Sequence, residues 1–273
     1  MLKKITLIPL LISGFAFAQK SELEQNDIVG HPNYIEESMQ KARIRVMHIE
    51  GYDLEYYTKS TYNKDGNPVK RDYFDEAGNT TFSESFHYNE SNKLISRELK
   101  NEDGSLVFIF DYEYTTDGYI VIKSENDVNV LKTAYKLDTH QNVTYERETN
   151  LLEDTDVFIE KNYQYQNGFL IKTLVKYNQG SYTLDYKNDA KGNPLEEVYT
   201  SKDNKQVNKY LRKFDDNNNI IEETTLDETG KIKNVSTIKY QYDEHKNWTK
   251  RTQYVKHFDQ PISNTTRTIR YDK

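Results

Sequence analysis

The sequence predicts an all-β protein: a tandem-repeat antiparallel β-meander that forms a long twisted or spiralling sheet, with a short N-terminal cap. Three observations carry this prediction. A short motif recurs along the chain, turn residues follow one another at regular spacing, and aromatic and polar residues alternate between the turns. Together they indicate short strands joined by hairpins rather than helices.

The recurring motif begins with an aromatic residue, continues with Asp or Asn and a few polar residues, and reaches Gly or Asn before an apolar position. Its turn positions include Gly66, Asn67, Gly78, Asn79, Gly192, Asn193 and Asn247. Asp and Asn satisfy nearby backbone groups in turns, and Gly and Asn tolerate positive φ. Additional turn clusters, among them Asn126-Asp127 and Asp203-Asn204, divide the longer gaps, so we expect a hairpin turn about every 12–14 residues.

The residues between turns alternate with period two. Phe108, Phe110 and Tyr112 would share one face of a strand, with Asp111 and Glu113 on the other. This alternation predicts an antiparallel sheet with one aromatic face and one face in contact with water.

The first residues have the three parts of a secretory signal. Lys3 and Lys4 precede an apolar run, residues 5–17, and the tripeptide Ala16-Phe17-Ala18 suits signal peptidase. The run is about thirteen residues, whereas a spanning helix needs about twenty. We therefore expect cleavage after Ala18, no transmembrane anchor afterwards, and an exported protein that is periplasmic or extracellular.

Composition excludes several classes of protein. The chain has 44 acidic and 37 basic residues, for a net charge of −7, and loss of the predicted signal with its two lysines makes this −9. A nucleic-acid partner is therefore not expected, because phosphate binding needs a basic surface. The absence of Cys removes disulfides, thiol catalysis and Cys-based zinc sites. The 23 tyrosines argue against disorder, because disordered chains contain few aromatic residues.

We divide the chain into a signal peptide (1–18), an N-terminal cap (19–50) and a β-repeat domain (51–273). Two patterns overlap in the cap. Residues 34–45 have apolar side chains at helical spacing, which predicts one short helix, whereas residues 43–49 alternate like the start of a first strand.

The stretch Tyr240-Gln241-Tyr242-Asp243-Glu244-His245-Lys246-Asn247-Trp248, with degenerate copies over residues 54–273, resembles the YD repeat of Rhs-type bacterial proteins. In that family the repeats form a long antiparallel sheet that spirals into a shell, and large members carry toxins. This chain is too short to enclose a toxin domain. A weaker likeness, around Thr229-Gly230-Lys231-Ile232, is to MORN-type antitoxin-like repeats.

No catalytic, metal or cofactor site is predicted. The six histidines are dispersed, and the chain contains neither a His-Glu-x-x-His motif nor a nucleophile elbow nor a phosphate-binding Gly-rich loop. The run from Asp215 to Asn219 lacks the Gly and Glu of an EF-hand loop and is interpreted as a turn. We expect a protein without enzymatic activity.

Three residues near the last repeat are candidate ligand contacts. Trp248 occupies the position after a turn where other copies have Pro, Leu or Ile, and Tyr240 and Tyr242 precede it on one face of a strand. Trp248 could stack on a sugar, but a residue packed within the strand fits the same pattern.

Three functions remain open on the sequence alone. The first is an exported, non-enzymatic envelope protein that binds a macromolecular partner, protein or glycan, through its aromatic-rich sheet. The second is binding or processing of envelope polysaccharide, which the same aromatic residues would serve. The third is an immunity or antitoxin-like role, for which only the family resemblances speak.

Overall fold

The structure, a computed structural model, describes residues 21–46, 48–152, 157–203 and 205–271. The predicted signal peptide lies outside these residues. The described part contains one short helix, α1 (Glu22–Gln25), and eighteen strands. The strands are β1 (Pro32–Arg45), β2 (His48–Tyr62), β3 (Pro68–Phe74), β4 (Thr80–Tyr88), β5 (Leu94–Asn101), β6 (Leu106–Tyr114), β7 (Gly118–Glu125), β8 (Val128–Leu137), β9 (Val143–Asn150), β10 (Phe158–Gln166), β11 (Phe169–Tyr177), β12 (Gly180–Asn188), β13 (Pro194–Ser201), β14 (Gln206–Phe214), β15 (Ile220–Leu226), β16 (Ile232–Tyr242), β17 (Trp248–Val255) and β18 (Ser263–Tyr271).

The strands form a closed antiparallel barrel. Each strand from β2 to β17 pairs with the strands before and after it in the chain. The ring closes at β1, where Ile35 lies opposite Ile269 of β18 on one side and Ser60 of β2 on the other. Closure removes the two free edges that a long open sheet would expose.

The prediction of an open, twisted or spiralling sheet is therefore wrong. Each hairpin is encoded locally, by a turn and the alternating residues beside it. The pairing of β1 with β18 joins residues more than two hundred positions apart, and no local pattern in the repeats specifies it.

The structure also differs from the secondary structure predicted within the N-terminal cap. Residues 34–45 are strand, not helix, and belong to β1, which is a full member of the barrel. The helix present is the four-residue α1, which starts at the capping box formed by Ser21 and Glu24. The alternation noticed at 43–49 corresponds to the end of β1 and the start of β2.

Inner and outer faces of the barrel differ in composition. Most buried strand residues lie in phase along the strands and face inward. The apolar ones include Ile35, Phe86, Leu99, Phe110, Tyr119, Tyr135, Val175 and Ile238, and Ser, Thr and Glu side chains such as Thr173 and Glu84 are buried among them. The outward positions carry cross-strand ion pairs, for example Lys172 with Asp185 at 3.1 Å and Lys213 with Glu222 at 2.8 Å. The aromatic face is thus the inside of the barrel, and the wet face is its outside.

The barrel has two distinct ends. The turns after β2, β4, β6, β8, β10, β12, β14 and β16 lie at one end, which we name the capped end because residues 21–31 lie against it. The other turns lie at the far end. In many turns an Asp or Asn accepts backbone hydrogen bonds from the second and fourth residues after it, as Asp189 does from Lys191 and Asn193. The residue between these two, Gly192, has φ +92°.

Among the described residues, no helix has the length and apolar character required to cross a membrane.

Candidate ligand cavity at the capped end

A cavity of about 250 Å³ lies inside the barrel at the capped end. Its walls are inward-facing side chains of β18 and β1 to β5, together with residues of the N-terminal segment. Charged and phenolic groups predominate in the lining.

The N-terminal segment that closes one side, residues 21–31, is named the strap. Leu23 anchors it: the side chain is 2% exposed, and its backbone N–H donates to the carbonyl of Gly66. At the other end of the strap, Asn247 accepts a hydrogen bond from the N–H of Val29 at 2.8 Å and donates to its carbonyl at 2.7 Å. Two turns of the barrel therefore hold the strap, and Asn26 and Ile28 lie between them in the cavity wall.

Three glutamate–arginine pairs surround the cavity. Glu22 bonds Arg71 at 2.5 Å, and Glu84 approaches Arg97 at 2.9 Å. The third pair joins Glu37 of β1 to Arg267 of β18. Each pair links different elements of the fold, and together the six side chains carry no net charge.

A tyrosine hydroxyl also binds each glutamate. Tyr62 donates to Glu22 at 3.1 Å and Tyr73 donates to Glu84 at 3.1 Å. Tyr56 donates to Glu37. We name these arrangements the three Tyr–Glu–Arg triads: Tyr62–Glu22–Arg71, Tyr73–Glu84–Arg97 and Tyr56–Glu37–Arg267.

The pKa values of the triad tyrosines follow from burial and from the nearby carboxylates. Burial raises the pKa of Tyr73 to about 12, and Glu84 adds to the effect. Burial, reinforced by Glu22 and Glu37 respectively, also raises the pKa of Tyr62 and Tyr56. The phenols are therefore neutral hydrogen-bond donors throughout the neutral pH range.

The pKa of Arg71 is raised as well. Burial by itself acts to lower it, but the charge of Glu22 and the surrounding tyrosines outweigh the burial. This guanidinium stays charged and is fixed by Glu22, by Ser60 at 2.9 Å and by Glu84 at 3.8 Å.

The Glu84–Arg97 pair is incompletely satisfied. The Glu84 side chain is 1% exposed, and its Oε1 faces Nε of Arg97 without the alignment of a hydrogen bond. Nη2 of Arg97 is buried and has no hydrogen-bond partner among the described residues. The guanidinium instead lies 4.3 Å from the centre of the Phe110 ring. A buried donor without a partner costs free energy, so an acceptor brought to this point would be stabilising.

The predicted contact residues Trp248, Tyr240 and Tyr242 do come together on the inner face. Tyr240 lies 6.0 Å from Tyr242 and 6.2 Å from Trp248, measured between ring centres. These three side chains lie beside the cavity rather than in its lining. Arg267, which does line the cavity, connects the aromatic group to it, because its guanidinium lies 3.4 Å from the Trp248 ring centre. Trp248 thus supports a cavity residue from behind.

The hydroxyls of the two tyrosines are already engaged. Tyr240 donates to the carbonyl of Ile220 at 3.2 Å. Tyr242 donates to Asp215 and accepts from Asn219 at 3.0 Å. Their polar groups hold turns of the barrel.

The predicted turn residues lie in hairpins at both ends. Gly66, Gly78 and Gly192 have φ values of +77°, +83° and +92°. A Cβ on Gly66 would lie 2.7 Å from Oγ of Ser21, so this glycine also admits the strap. The amide neighbours behave differently: Asn79 and Asn193 bond the aspartate of their own turn, Asn67 donates its N–H to Asn63, and Asn247 binds the strap.

Sequence reasoning missed the triads, because their members are spread from Glu22 to Arg267. One signal was present. Glu84 alternates with Phe82, Phe86 and Tyr88, so a carboxylate occupies the aromatic face of β4 where an apolar residue is expected. Within the described residues, no group of His, Asp and Glu side chains is arranged to hold a metal ion.

No protein-family model matches the sequence, and no curated protein matches it. The finer likeness to YD repeats is therefore not supported by a family match.

Solved structures with similar architecture include two porin-like proteins. One, from Bacteroides uniformis, has a TM-score of 0.47 and 9% identity over 88% of this chain and 97% of that chain. The other, from Bacteroides vulgatus, has a TM-score of 0.43 and 10% identity over 72% of this chain and 95% of that chain. The TcdB2-TccC3-Cdc42 complex has a TM-score of 0.34 and 12% identity over 79% of this chain but 14% of that chain. These likenesses are of a β-rich architecture alone.

Proposed function

We propose that this protein is an exported, non-enzymatic binding protein of the cell envelope, and that its inner cavity takes a sugar unit of a glycan. The observation that carries the proposal is the ring of three Tyr–Glu–Arg triads around the cavity. They supply hydrogen-bond donors and acceptors at fixed positions, which is what recognition of a polyhydroxylated ligand requires.

The charge balance favours a neutral sugar. Three arginines are matched by three glutamates, so the lining offers no net attraction to an anion or a cation. Sugar hydroxyls both donate and accept, and can therefore bond arginine and carboxylate in the same site. Arg97 lines the cavity, and its unpartnered Nη2 is a donor that such a hydroxyl would satisfy once the guanidinium turns towards the ligand.

Binding fits this lining better than hydrolysis. A glycosidase needs one carboxyl group that delivers a proton and a second that acts as base or nucleophile. Here Glu22, Glu37 and Glu84 each accept from a tyrosine and pair with an arginine. No carboxyl group of the triads is left free for proton transfer.

The location of the aromatic residues restricts the kind of macromolecular partner that could reach them. The aromatic face lies inside a closed barrel, where a folded protein does not fit but the end of a glycan chain does. Barrels of about sixteen to eighteen strands leave space that their own side chains do not fill.

The composition of the outer face favours a location in an aqueous compartment of the envelope. A barrel embedded in lipid carries an outward-facing apolar band about 25 Å tall. Outward positions here carry ion pairs such as Lys172–Asp185 and Lys187–Glu196, which suit water.

An array of neutral and acidic oligosaccharides, probed with the purified chain and followed by calorimetry on the neutral sugar bound best, tests the proposal. Arg97→Lys keeps the charge beside Glu84 but removes the planar guanidinium, and should weaken binding by about tenfold or more. Arg43→Lys, at an exposed pair with Asp53 at the far end, is the matched control and should bind like the wild type. An array without neutral-sugar binding, or equal affinity of both variants, would contradict the proposal.

A further inference from the structure

The outer face of the last three strands contains no acidic residue. β16, β17 and β18 are consecutive in the barrel, and among them they have six basic residues and neither Asp nor Glu. Two of the six, Arg251 and Arg267, face inward, so the outer face carries the others. In a chain with 44 acidic and 37 basic residues, this is a local reversal of charge. We name the outward positions of these three strands the acid-free panel.

Three cations of the panel are exposed and lack an acidic partner. Lys239 of β16, Lys250 of β17 and Arg270 of β18 form no ion pair with any described residue. Their registers place them on one face: Lys239 lies opposite Thr252, Lys250 opposite Thr266, and Arg270 opposite Tyr34 of β1.

Several lysines on the outer face of other strands are paired, although Lys132 and Lys136 of β8 form no ion pair with a described residue. Lys172, Lys187 and Lys213 each have a carboxylate on the adjacent strand within about 3 Å, namely Asp185, Glu196 and Glu222. Within the panel no strand supplies such a carboxylate, and the flanking strands are β15 and β1. Glu222 of β15 lies opposite Thr237 but is already paired with Lys213 at 2.8 Å. The outer acid of β1 that borders the panel, Glu36, already accepts hydrogen bonds from Tyr34 and Tyr57.

Aromatic rings lie beside the cations. Lys239 lies 5.2 Å from the ring centre of Tyr254, and Arg270 lies 4.7 Å from that of Tyr34. The pattern continues onto β2, where Lys59 lies 5.3 Å from Tyr57. Short hydroxyl and amide side chains occupy the positions between them: Thr237, Gln241, Asn264, Thr266 and Thr268.

We propose that the acid-free panel is a second binding surface, independent of the inner cavity, and that its partner is an acidic polysaccharide. Unpaired cations attract the carboxylates of such a polymer, and the rest of this acidic molecule repels them, so the polymer is directed to the panel. The aromatic rings and the hydroxyl and amide groups match the faces and hydroxyls of the sugar rings between successive charges.

Binding of polygalacturonate to the purified chain, measured by calorimetry at two salt concentrations, tests this. Dextran is the neutral control polymer and single-stranded DNA the control polyanion. The combined variant Lys239→Gln, Lys250→Gln, Arg270→Gln should lose on the order of tenfold or more in affinity. Its matched control, Lys172→Gln, Lys187→Gln, Lys213→Gln, changes the net charge equally and should lose much less affinity than the panel variant, because only long-range repulsion increases.

The proposal is supported if polygalacturonate binds, if salt weakens the binding, and if the panel variant loses much more affinity than its matched control. It is overturned if polygalacturonate binds no better than dextran, if single-stranded DNA binds equally well, or if both triple variants lose affinity alike. Circular dichroism of each variant verifies folding. Arg97→Lys should leave polygalacturonate binding unchanged, so failure of the cavity proposal and failure of this one are separate results.

Discussion

At the scale of single residues, four tyrosines near strand ends connect neighbouring strands through their hydroxyls. Each donates to the carbonyl of the first residue of the preceding strand: Tyr88 to Pro68 at 2.9 Å, Tyr114 to Leu94 at 3.0 Å, Tyr165 to Val143 at 3.1 Å and Tyr240 to Ile220 at 3.2 Å. The ring fills the inner face while the hydroxyl satisfies a strand end. This dual role accounts for Tyr, rather than Phe, at these four positions.

Replacing Tyr114 by Phe tests that role. The substitution keeps the ring and removes the hydrogen bond to Leu94, so the free energy of unfolding should fall by about 1 kcal/mol. Tyr199→Phe is the control, because the Tyr199 hydroxyl has no hydrogen-bond partner among the described residues, although its ring contacts Tyr182. Urea denaturation followed by circular dichroism measures both; equal losses would contradict the assignment.

The Glu84–Arg97 pair provides a second prediction at this scale. Glu84→Gln leaves a buried guanidinium with less compensating charge and should destabilise the fold by about 3–5 kcal/mol. Glu98→Gln, which loses partly exposed contacts with Lys100 at 2.7 Å and His87 at 3.9 Å, should cost about 1 kcal/mol or less. Thermal unfolding of the two variants checks the difference. A small and equal loss of stability in both variants would mean that the buried Glu84–Arg97 pair stabilises the fold no more than a surface ion pair does.

At the scale of elements, the turns were predictable and the N-terminal region was not. Asp, Asn and Gly carry the conformation of a hairpin turn themselves, so expected turns such as Asn126-Asp127 are found where the spacing places them. The helical spacing of residues 34–45 competes with their ability to pair on both sides, and pairing with β2 and β18 prevails. Nothing in the local sequence indicates that strand partners exist on both sides.

The strap is the element whose attachment can be tested most directly. Asn247 is 4% exposed and bonds both backbone groups of Val29 and the hydroxyl of Tyr271. Asn247→Ala should cost about 1–3 kcal/mol and should increase hydrogen exchange over residues 21–31. Asn79→Ala, which removes only a local bond to Asp75, should leave the strap protected. Unchanged exchange in Asn247→Ala would show that the strap is held by other contacts.

At the scale of the whole molecule, period two and turn spacing suffice to predict strands, antiparallel order and two unlike faces. They do not reveal that the sheet closes, nor which face becomes the inside. Closure depends on the match between β1 and β18, and the cavity depends on closure, because its triads join residues of β18, β1 and β2 to β5 with the strap. Apart from Glu84, whose place on the aromatic face of β4 is visible in the sequence, the charged members of the triads could not be predicted from local sequence.

The buried tyrosines predict alkaline unfolding. Burial raises the pKa of Tyr114 and of Tyr73 to about 12, against about 10 for an unfolded chain. The folded state thus retains these protons, and the resulting stability is fully present below pH about 10 and is lost as the pH rises towards 12. Phenolate absorbance and circular dichroism should change together in that interval. Ionisation of all tyrosines near pH 10 with intact secondary structure would contradict this account.

The measurement that tests closure most directly is a disulfide between the first and last strands. Ser38 and Thr266 lie opposite each other on β1 and β18, at a separation that suits a disulfide, and the chain has no other cysteine. The double variant Ser38→Cys, Thr266→Cys should form an intramolecular disulfide under mild oxidation, seen as a mobility shift on a non-reducing gel. The pair Thr183→Cys, Thr266→Cys, on strands that are not neighbours, should not. A closed barrel predicts rapid, complete cross-linking of the first pair; no cross-link in the folded protein would mean that the sheet is open.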